Sequence, residues 1–203
     1  SGTGYCAQQL QTRFSGELLC IDLSPEMVAH TRQLGFRSTV GDAQALPLED
    51  NSVDVLVSSL AIQWCPNPAG VFAEIARVLK PNGRAWIATL GELSLAELRT
   101  SAEVAGVGNR VNDFPAHTDW LAFARASLLN SQLQRYQAPV EASSFSDLLR
   151  HLRGVGAHCV LNAPRKPLTR SNLQSWGNAA REAGGGSYRT HYDVVQLTLT
   201  KLN

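Results

Sequence analysis

Ser1-Gly2-Thr3-Gly4 opens the chain, and the apolar run Leu18-Leu19-Cys20-Ile21 leads to Asp22. Between them, Tyr5 to Phe14 places Cys6, Ala7, Leu10 and Phe14 at helical spacing, and Ser15-Gly16 stops that helix. A glycine turn that opens a helix, followed by a strand ending in a carboxylate, is how α/β domains hold an adenosine ligand. The glycines let backbone approach the ligand, and the carboxylate takes two ribose hydroxyls. Such a turn normally follows a buried strand, so the first strand of the sheet is expected upstream of residue 1.

Outward from this stretch the pattern alternates. Glu17 to Asp22 reads as a strand. Ser24-Pro25-Glu26 starts a helix running to about Leu34, with a capping hydroxyl followed by proline where a missing N–H is harmless. Arg37–Val40 is a short strand that runs into Gly41-Asp42-Ala43. Val53–Ser58 is apolar enough to be a strand buried on both faces. A helix from about Pro68 to Leu79, the turn Pro81-Asn82-Gly83 and a buried strand Arg84–Leu90 follow. Strand and helix in alternation predict a mostly parallel, Rossmann-like sheet with ligands at the carboxyl ends of its strands.

After residue 91 the rhythm changes. Helices are expected over Ser94–Val104, Asp119–Leu129, Phe145–Leu152 and Ser171–Ala180, and a strand near Leu133–Ala138. Tyr188–Leu202 alternates, with Val195, Leu197 and Leu199 on one face, and reads as a closing edge strand. The whole is read as one domain, 1–203, with an adenosine-binding half over 1–90 and a lid over about 92–180.

With 203 residues and 44% apolar content the chain can bury a real core, and a net charge of +1 gives no global field for nucleic acid or an anionic membrane. No apolar run approaches the ~20 residues a bilayer span needs. Cys6, Cys20, Cys65 and Cys159 are scattered, without CxxC pairs or histidines at ligand spacing, which argues against zinc and for a reducing, cytoplasmic setting.

Gly2-x-Gly4-x-x-Ala7 alone also fits a dinucleotide fingerprint, so a dehydrogenase is weighed, as is a non-catalytic protein that keeps the fold for binding. Three features shift the balance. A helix start, Leu23 to Met27, lies beside the ribose carboxylate. Asp42 ends the next strand, where it can accept an exocyclic adenine amine. The strand to Ser58 runs into a polar and aromatic turn rather than a second glycine turn. Together these resemble the class I S-adenosylmethionine (AdoMet) methyltransferases, whose sheet has seven mostly parallel strands and an antiparallel closing strand. The resemblance implies AdoMet contacts at Gly2, Thr3, Gly4, Asp22, Leu23, Met27, Asp42, Ala43, Ser58 and Leu60, with S-adenosylhomocysteine as product and no metal.

Four segments sharpen this. Ser59-Leu60-Ala61-Ile62-Gln63-Trp64-Cys65, His151-Leu152-Arg153-Gly154-Val155-Gly156-Ala157, Pro167-Leu168-Thr169-Arg170 and Thr190-His191-Tyr192-Asp193-Val194-Val195 resemble, in order, the BioC family of malonyl-[acyl carrier protein] O-methyltransferases. The resemblance implies methyl transfer to the free carboxylate of a malonyl thioester on carrier protein or coenzyme A, early in biotin synthesis. It also implies substrate-side roles for Gln63, Trp64, Arg110 and Arg153. Arg110 precedes Asn112-Asp113-Phe114, comparable to an Asn-Arg-Phe-like segment of the family; Arg153 and Arg165 are other arginines for the carboxylate. Arg150, Arg153, Arg165, Lys166 and Arg170 are candidates for docking the acidic carrier. Another small-molecule methyltransferase remains the alternative. Glu74 and Arg77 read as a solvated pair on one helix.

Overall fold

The computed structural model describes residues 1–108, 110–154 and 167–203, the side chains of 153 and 154 excepted. They form two compact units. The first comprises Ser1–Thr89, Thr118–Leu133 and Gln196–Asn203, and the second Leu90–His117 and Gln134–Val195.

In the first unit, helix α1 (Tyr5–Gln11) follows the glycine turn, and β1 (Leu19–Asp22) pairs in parallel with β2 (Arg37–Val40), from Leu19 opposite Arg37 to Asp22 opposite Val40. Between them α2 (Pro25–Gln33) begins as its sequence dictates: Ser24 Oγ accepts the Met27 N–H at 3.3 Å, and Pro25 occupies the first turn. Arg32 on α2 donates twice to the Ser38 carbonyl, at 3.0 and 2.7 Å, which ties the helix to the strand beside it.

β3 (Val53–Ser59) runs parallel to β4 (Leu79–Leu90). Val53 lies opposite Leu79 but Val55 opposite Arg84, so the Pro81-Asn82-Gly83 turn expected from sequence is present as a bulge inside β4, with Asn82 at φ +63°. A 3-10 turn (Ile62–Trp64) and α3 (Pro68–Val78) connect the two strands. Val71, Phe72, Ile75 and Val78 of α3 are buried. The Phe72 ring lies 6.2 Å from the rings of Trp120 and Phe123 on α5 (His117–Ala126), an aromatic cluster inside this unit.

The second sheet has the order β3-β4-β6-β5, with β5 spanning Leu129–Ala142 and β6 Tyr188–Lys201. Asn82 meets Asn203 while Gly91 meets Asp193, so β6 runs antiparallel to β4. Arg135 meets Asp193 while Gln137 meets His191, so β5 runs antiparallel to β6. The α/β class and the antiparallel last strand are therefore as expected, and the described residues contribute six strands in a two-stranded and a four-stranded sheet.

Two expectations change. The terminal strand is not an edge: β6 is flanked on both sides, and β5 is the outer strand. Periodicity reports a strand's faces but not its neighbours, and a 14-residue β5 supplies the second partner. Nor is β3 buried on both faces, since Val55 and Val57 are 39% and 37% exposed. Val55, Val57, Arg84, Trp86, Gln196 and Thr198 are all exposed, whereas Ala85, Ile87, Leu197 and Leu199 are buried. Only one face of this part of the sheet is covered among the described residues.

The second unit gathers α4 (Ala96–Val104), α6 (Phe145–Gly154) and α7 (Arg170–Ala183) around Leu98, Val140, Leu148, Trp176 and Ala180. Trp176 packs edge-on to Phe145 with ring centroids 5.1 Å apart, and its indole N–H donates to Ser101 Oγ at 3.0 Å, so the buried donor is satisfied. Thr169 caps α7 through the Asn172 N–H. No helix among the described residues is long and apolar enough to cross a membrane.

Candidate functional site

Parallel pairing puts the carboxyl ends of β1 and β2 on one edge, and those of β3 and β4 likewise. The sequence-derived cofactor residues collect at these ends. Gly4 adopts φ +81°, a conformation that favours glycine, and a Cβ there would stand a tight 3.1 Å from Leu34 Cδ1. Asp22 Oδ2 accepts the Gly2 N–H at 2.7 Å and lies 2.8 Å from the Ser1 nitrogen, while Oδ1 accepts the Ser24 N–H at 3.0 Å. Burial pushes this carboxyl up, but the Ser1 nitrogen and the Ser24 and Gly2 amides outweigh it and hold it below its ordinary value. Asp22 is thus a fixed carboxylate at neutral pH. Leu23 beside it is 69% exposed, and Met27 is half-buried on the first turn of α2.

Past β2, a Cβ on Gly41 would stand 2.8 Å from Ile21 Cγ2, so the chain crosses close over β1. Asp42 Oδ1 accepts the Gln44 N–H at 2.9 Å, and both its oxygens lie 3.2 Å from Gln44 Nε2. Gln44 Oε1 in turn accepts the Asn67 N–H, which ties this loop to the start of α3. Ala43 is half-buried in the same turn. Cys65 lies near enough to Asp42 that burial first, and the carboxylate second, raise its thiol pKa. The cysteine is therefore a protonated, unreactive wall.

At the end of β3, Ser58 pairs with Ile87, and Leu60 turns left-handed at φ +51° with its N–H on the Ala88 carbonyl at 2.8 Å. This is the polar and aromatic turn anticipated in the sequence. Gln63 is neither an exposed turn residue nor free: it is 8% exposed, and its Oε1 accepts the Thr89 hydroxyl at 3.3 Å. Trp64 beside it is half-buried.

The Glu74–Arg77 pair is not simply solvated. The Arg77 guanidinium holds the Glu74 carboxyl below its ordinary value against the opposing effect of burial. Its Oε2 accepts the Leu46 N–H at 2.7 Å, while Arg77 donates to the carbonyls of Leu46 and Leu48. The pair clamps the loop after Asp42 onto α3.

In the second unit, sequence reasoning missed the dominant polar cluster. Arg135 donates to Asp193 through Nε at 2.6 Å and Nη2 at 2.7 Å, and from Nη2 to Glu92 at 3.0 Å. Glu92 also accepts the backbone N–H of His117 at 3.0 Å. A signal existed: Asp193 is in phase with the buried Val195, Leu197 and Leu199, and a carboxylate at such a position requires a partner. A second pair joins His191 Nδ1 to Glu97 at 2.7 Å, with Thr190 Oγ1 on the other oxygen at 2.9 Å.

The substrate-side arginines are less assembled. Arg110 is half-buried and donates to the Val107 carbonyl at 2.9 Å. In the neighbouring segment Asn112 and Phe114 are buried, and Asp113 lies 3.4 Å from Arg99 Nε. Arg150, exposed on the outer side of α6, pairs with Asp147, and Arg170 is exposed at the start of α7. The Arg153 side chain, Arg165 and Lys166 lie outside the described residues.

Residues 1–87 match the family described as "Methyltransferase domain". The YcgJ protein of Bacillus subtilis shares the fold, with a TM-score of 0.71 over 100% of this chain and 89% of that one, at 16% identity. The biotin biosynthesis bifunctional protein BioHC of Cellvibrio japonicus is 34% identical over 99% of this chain, which spans 41% of that protein's length. The malonyl-[acyl-carrier protein] O-methyltransferase of Dechloromonas aromatica is 33% identical over 98% of this chain and 77% of its own length. Sharing that identity along nearly its whole length with a relative it covers by more than three quarters, the chain belongs to the malonyl-[acyl-carrier protein] O-methyltransferase family.

Proposed function

We propose that this chain methylates the free carboxylate of a malonyl thioester, with AdoMet as methyl donor and the acyl group carried on acyl carrier protein. The observation that carries the reading is Asp22. Its carboxylate, at the carboxyl end of a parallel strand, accepts the Gly2 amide of the very glycine turn expected to approach a nucleoside and the Ser24 amide at the start of α2, which help to hold it ionised.

The residues fit the cofactor. The Gly2-Thr3-Gly4 turn has no side chain at Gly4 to block close approach, and Asp22 Oδ1, which accepts only the Ser24 N–H, keeps a lone pair for a ribose hydroxyl. Leu23 and Met27 supply apolar surface beside it. Asp42, oriented by Gln44, has acceptor capacity for an exocyclic amine, with Ala43, Ser58 and Leu60 completing the strand-end rim. When bound, AdoMet supplies a sulfonium methyl that is already activated.

A malonyl carboxylate is ionised at pH 7, so the protein needs no general base. Its work is to orient the carboxylate in line and to strip water from it. Gln63 and Trp64, at the turn after β3, suit positioning and water exclusion. Arg110 and Arg153 are the proposed carboxylate-side arginines. Arg150 and Arg170, with Arg153, Arg165 and Lys166, form the proposed docking patch for an acidic carrier, which steers association although the net charge is only +1.

Calorimetric titration with AdoMet and with a nicotinamide dinucleotide, followed by assays on malonyl thioesters of carrier protein and coenzyme A, tests the proposal. AdoMet binding and methyl-ester formation are expected. Absence of any affinity for AdoMet or its demethylated product ends the reading.

A further inference from the structure

Gln63 and Thr89, both in the first unit, form a pair that leaves one end of a carboxamide idle. Gln63 lies in the 3-10 turn that follows β3. Thr89 stands at the carboxyl end of β4, beside the Ala88 carbonyl that accepts the Leu60 N–H. Thr89 is fully buried and makes no other side-chain hydrogen bond among the described residues, so its proton goes to Gln63 Oε1 at 3.3 Å. That bond fixes which way the carboxamide faces. Oε1 is turned to Thr89, and the two N–H groups of Nε2 are left for another acceptor.

Nε2 takes no acceptor from the protein among the described residues. Nor is it sealed: the side-chain atoms there that are both sealed and unpartnered are Arg99 Nε and the Tyr192 hydroxyl oxygen. The nitrogen therefore keeps contact with solvent, although Gln63 as a whole is only 8% exposed. A surface glutamine would not be held from behind, and a glutamine that only braces the fold would spend both ends. An amide oriented by a buried hydroxyl, with its donors open at the end of a parallel strand pair, is preorganised for a ligand.

The donor's neutrality narrows the ligand. A carboxylate that attacks a methyl group loses its charge as it becomes an ester. A cation on it would hold the starting anion far more tightly than the transition state, which slows the reaction. A neutral N–H binds the anion and the ester carbonyl that replaces it with a smaller difference. We propose that Thr89 is a positioning residue that acts through Gln63, presenting the Nε2 donors to a carboxylate oxygen of the malonyl substrate. This assignment rests on the malonyl-thioester reading above and deepens it, because it names what orients the acid end of the substrate.

The test compares Thr89→Val, which keeps the shape and loses the hydroxyl, with Thr89→Ser, which keeps the hydroxyl and loses a buried methyl. Thr89→Val should raise KM for malonyl-carrier protein about tenfold, the worth of one oriented hydrogen bond, with a smaller change in kcat and unchanged affinity for AdoMet. Thr89→Ser should keep KM within about twofold of wild type while melting at a lower temperature. A packing role for Thr89 gives the opposite order, with serine the worse variant. Gln63→Glu keeps an acceptor for Thr89 but replaces the donors with an anion. In calorimetric titration at pH 7.5 it should bind malonyl-coenzyme A about 100-fold more weakly than wild type does. A wild-type KM in Thr89→Val, a KM raised more by serine than by valine, or wild-type affinity for malonyl-coenzyme A in Gln63→Glu overturns the assignment. So does a loss of AdoMet affinity in Thr89→Val, which would put the donors on the cofactor. Wild-type protein that methylates malonyl thioesters beside an unaffected Thr89→Val ends this assignment alone. Wild-type protein that neither binds nor methylates them ends the assignment together with the reading beneath it.

Discussion

Asp193 and Arg135, 58 residues apart in sequence, meet in a two-pronged ion pair with the Asp193 side chain only 2% exposed. The Leu93 N–H adds a third donor to the carboxylate at 3.3 Å. Removing either member of a buried ion pair leaves the other charge uncompensated and is expensive, whereas an apolar replacement of both partners is often neutral. Asp193→Asn should therefore destabilise the protein by about 3 kcal/mol in urea unfolding. Replacing both residues, as Asp193→Leu with Arg135→Met, should recover most of that loss. A single variant that costs under about 1 kcal/mol would show that the pair is no better than a surface bridge.

Gly91 lies against the same carboxylate. A Cβ there would stand 2.4 Å from Asp193 Oδ2 and 3.0 Å from Val195 Cγ2. Gly91→Ala should cost about 1–3 kcal/mol through overpacking. Gly106, at φ +65° with nothing near its Cβ position, is the control. Gly106→Ala meets only the backbone preference, about 1 kcal/mol. Thermal melts of the two variants should rank them in that order.

The contrast between these sites and the rest of the chain shows what sequence can carry. Ser24-Pro25 named its helix start because capping is a local transaction between residues three apart. The place of Asp22 at a strand end beside the glycine turn was legible for a similar reason: turn and strand end are separated by one helix. Arg135 was not, since nothing near it in a polar strand announces a partner on β6. The exposure of Val55 and Val57 escaped because an apolar run states what a strand would prefer against it, not what the fold provides. The burial of Gln63 was not legible either, since its side-chain partner, Thr89, lies 26 residues on.

Acid should unfold the protein partly through Glu97. Burial raises this carboxyl, but hydrogen bonds from its own backbone N–H, Thr190 and His191 outweigh it, and the folded pKa lies below the ordinary 4.5. A depressed carboxylate stabilises the fold above its unfolded pKa, and that contribution fades as pH falls through the folded value. Glu92, lowered in the same way, acts in the same window. Stability measured by urea midpoints should hold from pH 7 to about 5 and decline below about 4.5. Glu97→Gln should be less stable at pH 7 and show a shallower decline. An identical slope in the variant would remove Glu97 from the acid response.

The cofactor reading predicts its own pH profile. Asp22 is held below 3.8, since the nearby nitrogen of Ser1 and the amides of Ser24 and Gly2 overcome the effect of burial. A carboxylate serving two ribose hydroxyls should therefore stay ionised through the whole working range and lose its proton-free form only in strong acid. Affinity for AdoMet should be flat between pH 8 and about 5 and weaken only near or below pH 4. Asp22→Asn removes the charge but keeps an acceptor for the Gly2 or Ser24 amide. It should weaken AdoMet binding about 10- to 100-fold, the range expected for losing one or two charge-assisted hydrogen bonds. The melting temperature without ligand should move far less than for Asp193→Asn, because the Asp22 side chain is 19% exposed and its partners can turn to water. Calorimetric titration of both variants separates the cases. If Asp22→Asn binds AdoMet as wild type does, the carboxylate only caps the turn and the nucleoside lies elsewhere; if Asp193→Asn loses the ligand while remaining folded, the two carboxylates have been given each other's roles.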